Sequence, residues 1–338
     1  SMASGNTLVY FAPGKGPPPG LIQRFGDSHG LELLLAETRQ EVMALLNRSF
    51  PACLVLDASE ESATVFELCA TIKGDAFTSI VPTVVLRADR VENAGELSAT
   101  GLQAGADEVV SNLVSEEERA LRLELVLRRA ARDVNVHPTT RLPGTAQIER
   151  DFADRMAGNS PFAVCYADLD HFKEFNDRYG YNHGDSVIYL TSRILRDVVR
   201  SLAPGGFVGH IGGDDFIFNV PLDRLEACCD EIIQLFDELI PYQYTVEDRR
   251  AGYFLGKDRR GTVHRIPLMT LSIGVVTNLI QKFSHTAQVS ELAAEMKMYA
   301  KTLPGSVYVV DRRGLTGVRP ENSPKNRAMD FRGPSGTP

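Results

Sequence analysis

The chain has 338 residues, enough for two domains of ordinary size, and a hydrophobic content of 43% is ample for packed cores. A formal charge of −8 argues against nonspecific nucleic-acid binding, because a phosphate backbone needs clustered cations. No apolar run approaches a membrane span and the start lacks a basic region followed by an apolar stretch. Cys53, Cys69, Cys165, Cys228 and Cys229 have no metal-like spacing, so a reduced, cytoplasmic protein is expected.

In chain order, apolar strands are expected at Leu8-Phe11, Leu31-Leu35, Cys53-Leu56, Thr83-Leu86 and Glu108-Val110. Helical periods fall between them around Glu37-Asn47, Ser62-Lys73 and Ala94-Ala104. Short strands spaced by helices predict a doubly wound, flavodoxin-like parallel sheet of five strands over residues 6–114. Asp57 ends the third strand, where such folds bind a ligand or phosphoryl group. This order and Asp57 resemble a response-regulator receiver. The rest of a receiver's phosphorylation pocket differs: Phe11-Ala12-Pro13 stands in place of the acidic pair, Arg87 in place of Thr or Ser, and Asn112 in place of lysine. The resemblance therefore implies a pseudo-receiver in which Asp57 is phosphoacceptor-like but unused, with input from an upstream signalling partner or ligand.

Residues 115–136 read as a linking helix. Leu123, Leu127, Ala130 and Val134 follow a 4-3-4 spacing, so one face could pair with a copy of itself or pack on the preceding sheet; one continuous helix doing both is expected.

Further on, Phe162-Ala163-Val164-Cys165-Tyr166-Ala167 forms an apolar strand that ends in Asp168-Leu169-Asp170. Later, His210-Ile211-Gly212-Gly213-Asp214-Asp215-Phe216-Ile217-Phe218 reads as a tight hairpin with two carboxylates at its tip. Gly-Gly-Asp is also ordinary turn chemistry. Carboxylates at a strand end beside a carboxylate-bearing hairpin, however, offer the oxygen ligands that Mg2+ prefers between protein and nucleotide phosphates. The same ion polarises phosphoryl groups and acidifies an attacking hydroxyl.

These motifs resemble the GGDEF family, the diguanylate cyclases that join two GTP molecules into cyclic di-GMP. In that family a metal aspartate precedes a guanine-contacting asparagine by eight positions and a guanine-contacting aspartate follows nine later, as Asp168, Asn176 and Asp185 do here. Over residues 137–315 the resemblance implies a ferredoxin-like, palm-type and mostly antiparallel sheet with helices. It implies Mg2+ or Mn2+ held by Asp168, the Leu169 carbonyl and Asp214, with Asp214 and Asp215 as catalytic carboxylates. It implies substrate contacts from Asn176, Asp185, Phe172, Lys173 and Lys301. A carboxylate at Asp185 accepts bidentately from guanine N1-H and N2-H, which adenine lacks, and Asn176 offers both a donor and an acceptor. Since one domain binds one GTP, the product implies a homodimer.

Departures accompany these matches. Asp215 stands where glutamate is usual, and the family's opening motif survives in part as His137-Pro138-Thr139-Thr140-Arg141-Leu142-Pro143-Gly144-Thr145. Met298-Tyr299-Ala300-Lys301 resembles the family's Tyr-x-Ala-Lys, but the arginine expected near Gly305 and Ser306 is absent. The place of an Arg-x-x-Asp product-inhibition site holds Ala203-Pro204-Gly205-Gly206. The insert Tyr242 to Pro267, with Asp248-Arg249-Arg250 and Asp258-Arg259-Arg260-Gly261, reads as an extended, salt-bridged surface hairpin. Residues 316–338, rich in Pro, Gly, Asn and Arg, read as a flexible tail. The expected function is an Mg2+-dependent diguanylate cyclase with GTP as substrate. The alternative is a weak or inactive GTP-binding sensor or interaction module.

Overall fold

A computed structural model describes residues 6–14, 16–48, 51–75, 77–88, 96–132, 137, 139–257, 261–279, 282–313 and 328–331. The chain divides into two compact units, residues 1–134 and 135–338.

The first unit alternates β1 (Thr7–Phe11), α1 (Gly20–His29), β2 (Glu32–Ala36), α2 (Arg39–Arg48), β3 (Cys53–Asp57), α3 (Ser62–Gly74), β4 (Thr83–Arg87), α4 (Glu96–Gln103), β5 (Glu108–Ser111) and α5 (Glu116–Arg132). All strands pair in parallel in the order β2-β1-β3-β4-β5, the flavodoxin-like winding. Burial on both faces explains the continuous apolar strands. In β1, Val9 and Phe11 enter the core under α2 and α3, while Leu8 and Tyr10 enter the one with Ile22, Phe25, Leu123 and Val126. Sequence periodicity left α1 unassigned, although Leu21, Ile22 and Phe25 are its buried face.

At the carboxyl end of β3, Asp57 Oδ2 accepts a hydrogen bond from the Tyr10 hydroxyl at 2.6 Å, and Oδ1 accepts from the Ser59 amide at 2.9 Å. The helix α5 uses Leu123 and Val126 within its own unit, with Leu127 packed alongside, so the face expected to pair with a copy is partly occupied. Leu121 and Leu125, 52% and 41% exposed, lie outside that core; Val134 lies outside the described residues.

The second unit contains α6 (Thr145–Ala157), β6 (Phe162–Leu169), α7 (Phe172–Tyr179), α8 (Tyr181–Leu202), β7 (Phe207–Gly212), β8 (Asp215–Pro221) and α9 (Leu225–Leu239). After them come α10 (Val246–Ala251), β9 (Tyr253–Lys257), β10 (Val263–Pro267), β11 (Leu271–Thr277), α11 (Thr286–Ala300), β12 (Val307–Asp311) and β13 (Ala328–Phe331). The main sheet runs β13-β12-β11-β6-β8-β7. The pairs β11–β6, β6–β8 and β8–β7 are antiparallel, and β11–β12 and β12–β13 parallel. Phe216, Phe218, Ile273, Val275, Leu195 and Phe236 fill the core.

Two expectations change. The insert is not wholly an extended hairpin: a 3-10 turn over Ile240–Gln243 and helix α10 precede the β9–β10 ribbon. Thr245 caps α10 by accepting from the Asp248 amide. Asp248 is buried rather than solvated, held by Arg178 at 2.5 and 2.7 Å and by the Tyr179 hydroxyl. Burial works against this carboxylate's charge, but the Arg178 and Tyr179 bonds outweigh it and hold its pKa below the usual value. Asp258, Arg259 and Arg260 lie outside the described residues. In the expected flexible tail, Ala328–Phe331 is a strand that pairs in parallel with β12, because the edge of β12 offers its unpaired backbone groups.

Candidate functional site

The site forms where β6 ends. Antiparallel register sets Asp168 opposite Asp215, and the β7–β8 turn places Asp214 beside them. Gly213 has φ +55°, a left-handed conformation that glycine adopts without steric cost, and the turn is therefore tight. A register shift between His210 and Gly212 further bends the hairpin.

His210 pins that bend from beneath. Its Nε2 donates to the Gly213 carbonyl at 2.9 Å, since a carbonyl can only accept; Nδ1 therefore accepts from the Thr140 hydroxyl at 2.9 Å. The ring stacks on Phe216 and lies against His137, with centroids 4.4 and 3.6 Å away. Burial lowers the His210 pKa to about 4. Thr140 and His137 of the eroded opening motif thus support the hairpin.

The carboxylates crowd in a partly dry setting. Burial raises Asp168 to about 6; Lys301 opposes that shift and the Asp214 charge adds to it. Burial, with Asp215 adding, also raises Asp214. Asp170 accepts from Thr270 Oγ1 at 2.7 Å and from Ser272 Oγ at 2.8 Å, which ties it to β11.

The helix α11 brings two ammonium groups. Lys301 Nζ pairs with Asp168 Oδ1, while Lys297 Nζ is 3.1 Å from Asp168 Oδ2 and pairs with Asp215 Oδ1. Burial works to lower the Lys297 pKa, but the Asp215 and Asp168 carboxylates outweigh it and hold the pKa above its usual value. Gly274 permits this arrangement: a Cβ there would stand 2.1 Å from the Lys297 amide nitrogen, so α11 lies directly on β11.

Next to this cluster, His171 at φ +63° turns the chain from β6 into α7. Gly180 separates α7 from α8. The Asn176 amide oxygen lies 1.9 Å from where a Cβ on Gly184 would be, and Asp185 follows that glycine. Asn176 Oδ1 is buried without a hydrogen-bond partner, a polar atom turned toward the α7–α8 junction. Asp185 and Lys173 are exposed and Phe172 is half-buried.

Residues 135–247 match the family model described as "Diguanylate cyclase, GGDEF domain". That stretch is the GGDEF-matching region. Among relatives, diguanylate cyclase DgcP of Pseudomonas aeruginosa is 32% identical over 94 residues, covering 27% of this chain and 14% of that protein. Diguanylate cyclase DosC of Escherichia coli K12 is 37% identical over 70 residues, covering 21% and 15%. The aligned stretches therefore span about one seventh of these relatives. A solved structure of the coiled coil and GGDEF domain of DgcB from Caulobacter crescentus, in complex with c-di-GMP, is similar at 21% identity and TM-score 0.43, covering 57% of this chain and 94% of that one.

Within the second unit, Asp168, Asp214, Asp215 and Lys301 come together, and the Asn176 side chain of α7 lies against Gly184 of α8, the residue before Asp185. The sequence reading overlooked Lys297, four residues before Lys301 and so on the same helix face. It also overlooked His210. Among the described residues no group of three or more His, Cys, Asp or Glu side chains is disposed to hold a metal. Asp168 and Asp214, mutually repelling and raised in pKa, still fit one hard divalent ion whose remaining ligands come from carbonyl, water or phosphate oxygens. No described helix is long and apolar enough to cross a membrane.

Proposed function

We propose that the second unit is a diguanylate cyclase domain that condenses two GTP molecules into cyclic di-GMP and two pyrophosphates across two copies of the chain. The supporting observation is the meeting of Asp168 with the hairpin carboxylates Asp214 and Asp215 at one sheet end. Each copy's GTP 3′-oxygen attacks the α-phosphorus of the other's GTP. The new P–O bond replaces the bond to the β-phosphate oxygen, pyrophosphate leaves, and a carboxylate takes the hydroxyl proton.

Asp214, on the turn beside Asp168, takes that proton. Mg2+ or Mn2+, when bound by Asp168, the Leu169 carbonyl and Asp214, supplies charge neutralisation at the phosphates. Asn176 and Asp185 read the guanine edge, Lys301 meets the triphosphate, and the backbone at Phe172 with Lys173 lies beside it. Asp215, one methylene shorter than the usual glutamate, is a supporting carboxylate. The first unit is a pseudo-receiver that brings signals from a partner, and two copies associate to bring two sites face to face.

A second reading, a catalytically weak GTP-binding sensor, draws on the ion pairs that Lys297 makes with Asp168 and Asp215. Incubation of the purified chain with GTP and Mg2+, followed by chromatography for cyclic di-GMP, separates the two. Product from the wild type and none from Asp214→Ala supports the cyclase. GTP binding without product at high protein concentration supports the sensor.

A further inference from the structure

Lys297 has no part in the reaction just described, yet it stands inside the carboxylate site. Its side chain is only 14% exposed, and its Nζ bridges Asp168 Oδ2 at 3.1 Å and Asp215 Oδ1. The backbone of α11 at this point rests on Gly274 of β11, so the helix has a fixed distance from the sheet. The ammonium can therefore leave the carboxylates only by rotating its own side chain.

A carboxylate oxygen that accepts from an ammonium has committed the lone pair a metal would use. A dication held a few ångströms from an ammonium is also repelled in a partly buried setting, where water screens little. Lys301 takes the other Asp168 oxygen, so the two ammonium groups together occupy that carboxylate, and Lys297 is the one that also bridges to Asp215.

We propose that Lys297 is a resident cation of this site that competes with divalent metal for Asp168, with Asp215 as its second anchor, so that the nucleotide-free site binds metal weakly and takes it up only as Lys297 is displaced. The inference rests on the reading of Asp168 as a metal-holding carboxylate. It gives the chain a distinctive order of events: the ion arrives with the nucleotide's phosphates, which add oxygens to hold it and negative charge to draw the lysine away.

Mn2+ binding to the full chain without nucleotide, read from the electron paramagnetic resonance of free Mn2+, tests it without reference to turnover. Lys297→Met is expected to bind Mn2+ about tenfold more tightly than the wild type or better. Lys297→Gln, which keeps a polar side chain of similar reach, should gain as well and decides the matter if the methionine variant does not fold. Binding equal to or weaker than wild type in the folded variant overturns the proposal. A measurement on the wild type stands by itself: saturating Mn2+ should increase amine-reagent labelling of Lys297 while the exposed Lys173 stays constant. Unchanged labelling overturns displacement. Adding Asp168→Asn to the Lys297 variant separates the layers, for Mn2+ binding that survives it removes the metal assignment itself. Tighter Mn2+ binding by the Lys297 variants with no cyclic di-GMP from the wild type leaves the competition standing and refutes the cyclase.

Discussion

His210 illustrates how one buried ring governs a turn. It holds the Gly213 carbonyl only while Nε2–H points there and Nδ1 is free to accept from Thr140, so the neutral tautomer is the one that fits. Its folded pKa of about 4 lies below the usual value of 6.5. The unfolded chain therefore binds the extra proton first, and stability is full above pH 6.5 and lost as pH falls toward 4. Melting temperature measured across that range should fall less steeply for His210→Gln than for wild type; His137, whose pKa burial also lowers, adds slope of the same sign and Asp168, raised to about 6, slope of the opposite sign in both proteins, and parallel profiles would refute the assignment. The aspartates, Asn176 and Lys301 were legible because their spacing is local and their chemistry distinctive. Lys297 and His210 were not, because each acquires its role from an element remote in sequence: β6 and β8 for the lysine, the segment at Thr140 for the histidine.

Two glycines set the distances between elements. At Gly274 a methyl group would meet the backbone of α11 at Lys297, Met296 and Ala293, all within 2.7 Å, and backbone cannot rotate aside. Gly274→Ala should therefore destabilise the second unit by about 1–3 kcal/mol, read by denaturant unfolding; an unchanged midpoint would mean that α11 has room to move. At Gly184 the obstacle is instead the end of the Asn176 side chain, which can rotate. Gly184→Ala, whose gain of about 1 kcal/mol in helix propensity offsets the displaced side chain, should destabilise the second unit less than Gly274→Ala and weaken GTP binding by about tenfold or more, seen by calorimetry. Equal affinity would show that Asn176 does not read the base. The alternating strands of the first unit could be read from their apolar runs, and so could the signature hairpin. Helix α10 was missed although Thr245 precedes Asp248 at capping distance; the polar, Gly-punctuated run around it suggested an extended hairpin. The strand Ala328–Phe331 escaped notice because its pairing is decided by the free edge of β12 rather than by its own composition.

For the molecule as a whole, the chemistry proposed requires two copies, and concentration becomes a test. Cyclic di-GMP formed per mole of protein should fall as the protein is diluted through its association range, with sedimentation showing a matching loss of dimer. Constant specific activity down to protein that sediments wholly as monomer would refute the two-copy mechanism. Two domains were expected from length, and the parallel sheet of the first unit could be read from the alternation itself. A surface on which the proposed two copies would pair was less legible, since Leu123 and Val126, the inward residues of α5, serve their own sheet.

The Tyr10 bond to Asp57 bears on the input role proposed for the first unit. A phenol holds one oxygen of Asp57 and a backbone amide the other, so each has one lone pair fewer to offer an incoming phosphoryl group. Burial and the neighbouring carboxylate keep that phenol protonated, so the bond persists through ordinary changes of pH. On the proposal that the first unit is a pseudo-receiver, its messages would arrive by occupancy instead of by reaction, last as long as their carrier stays bound, and leave no chemical memory to be erased.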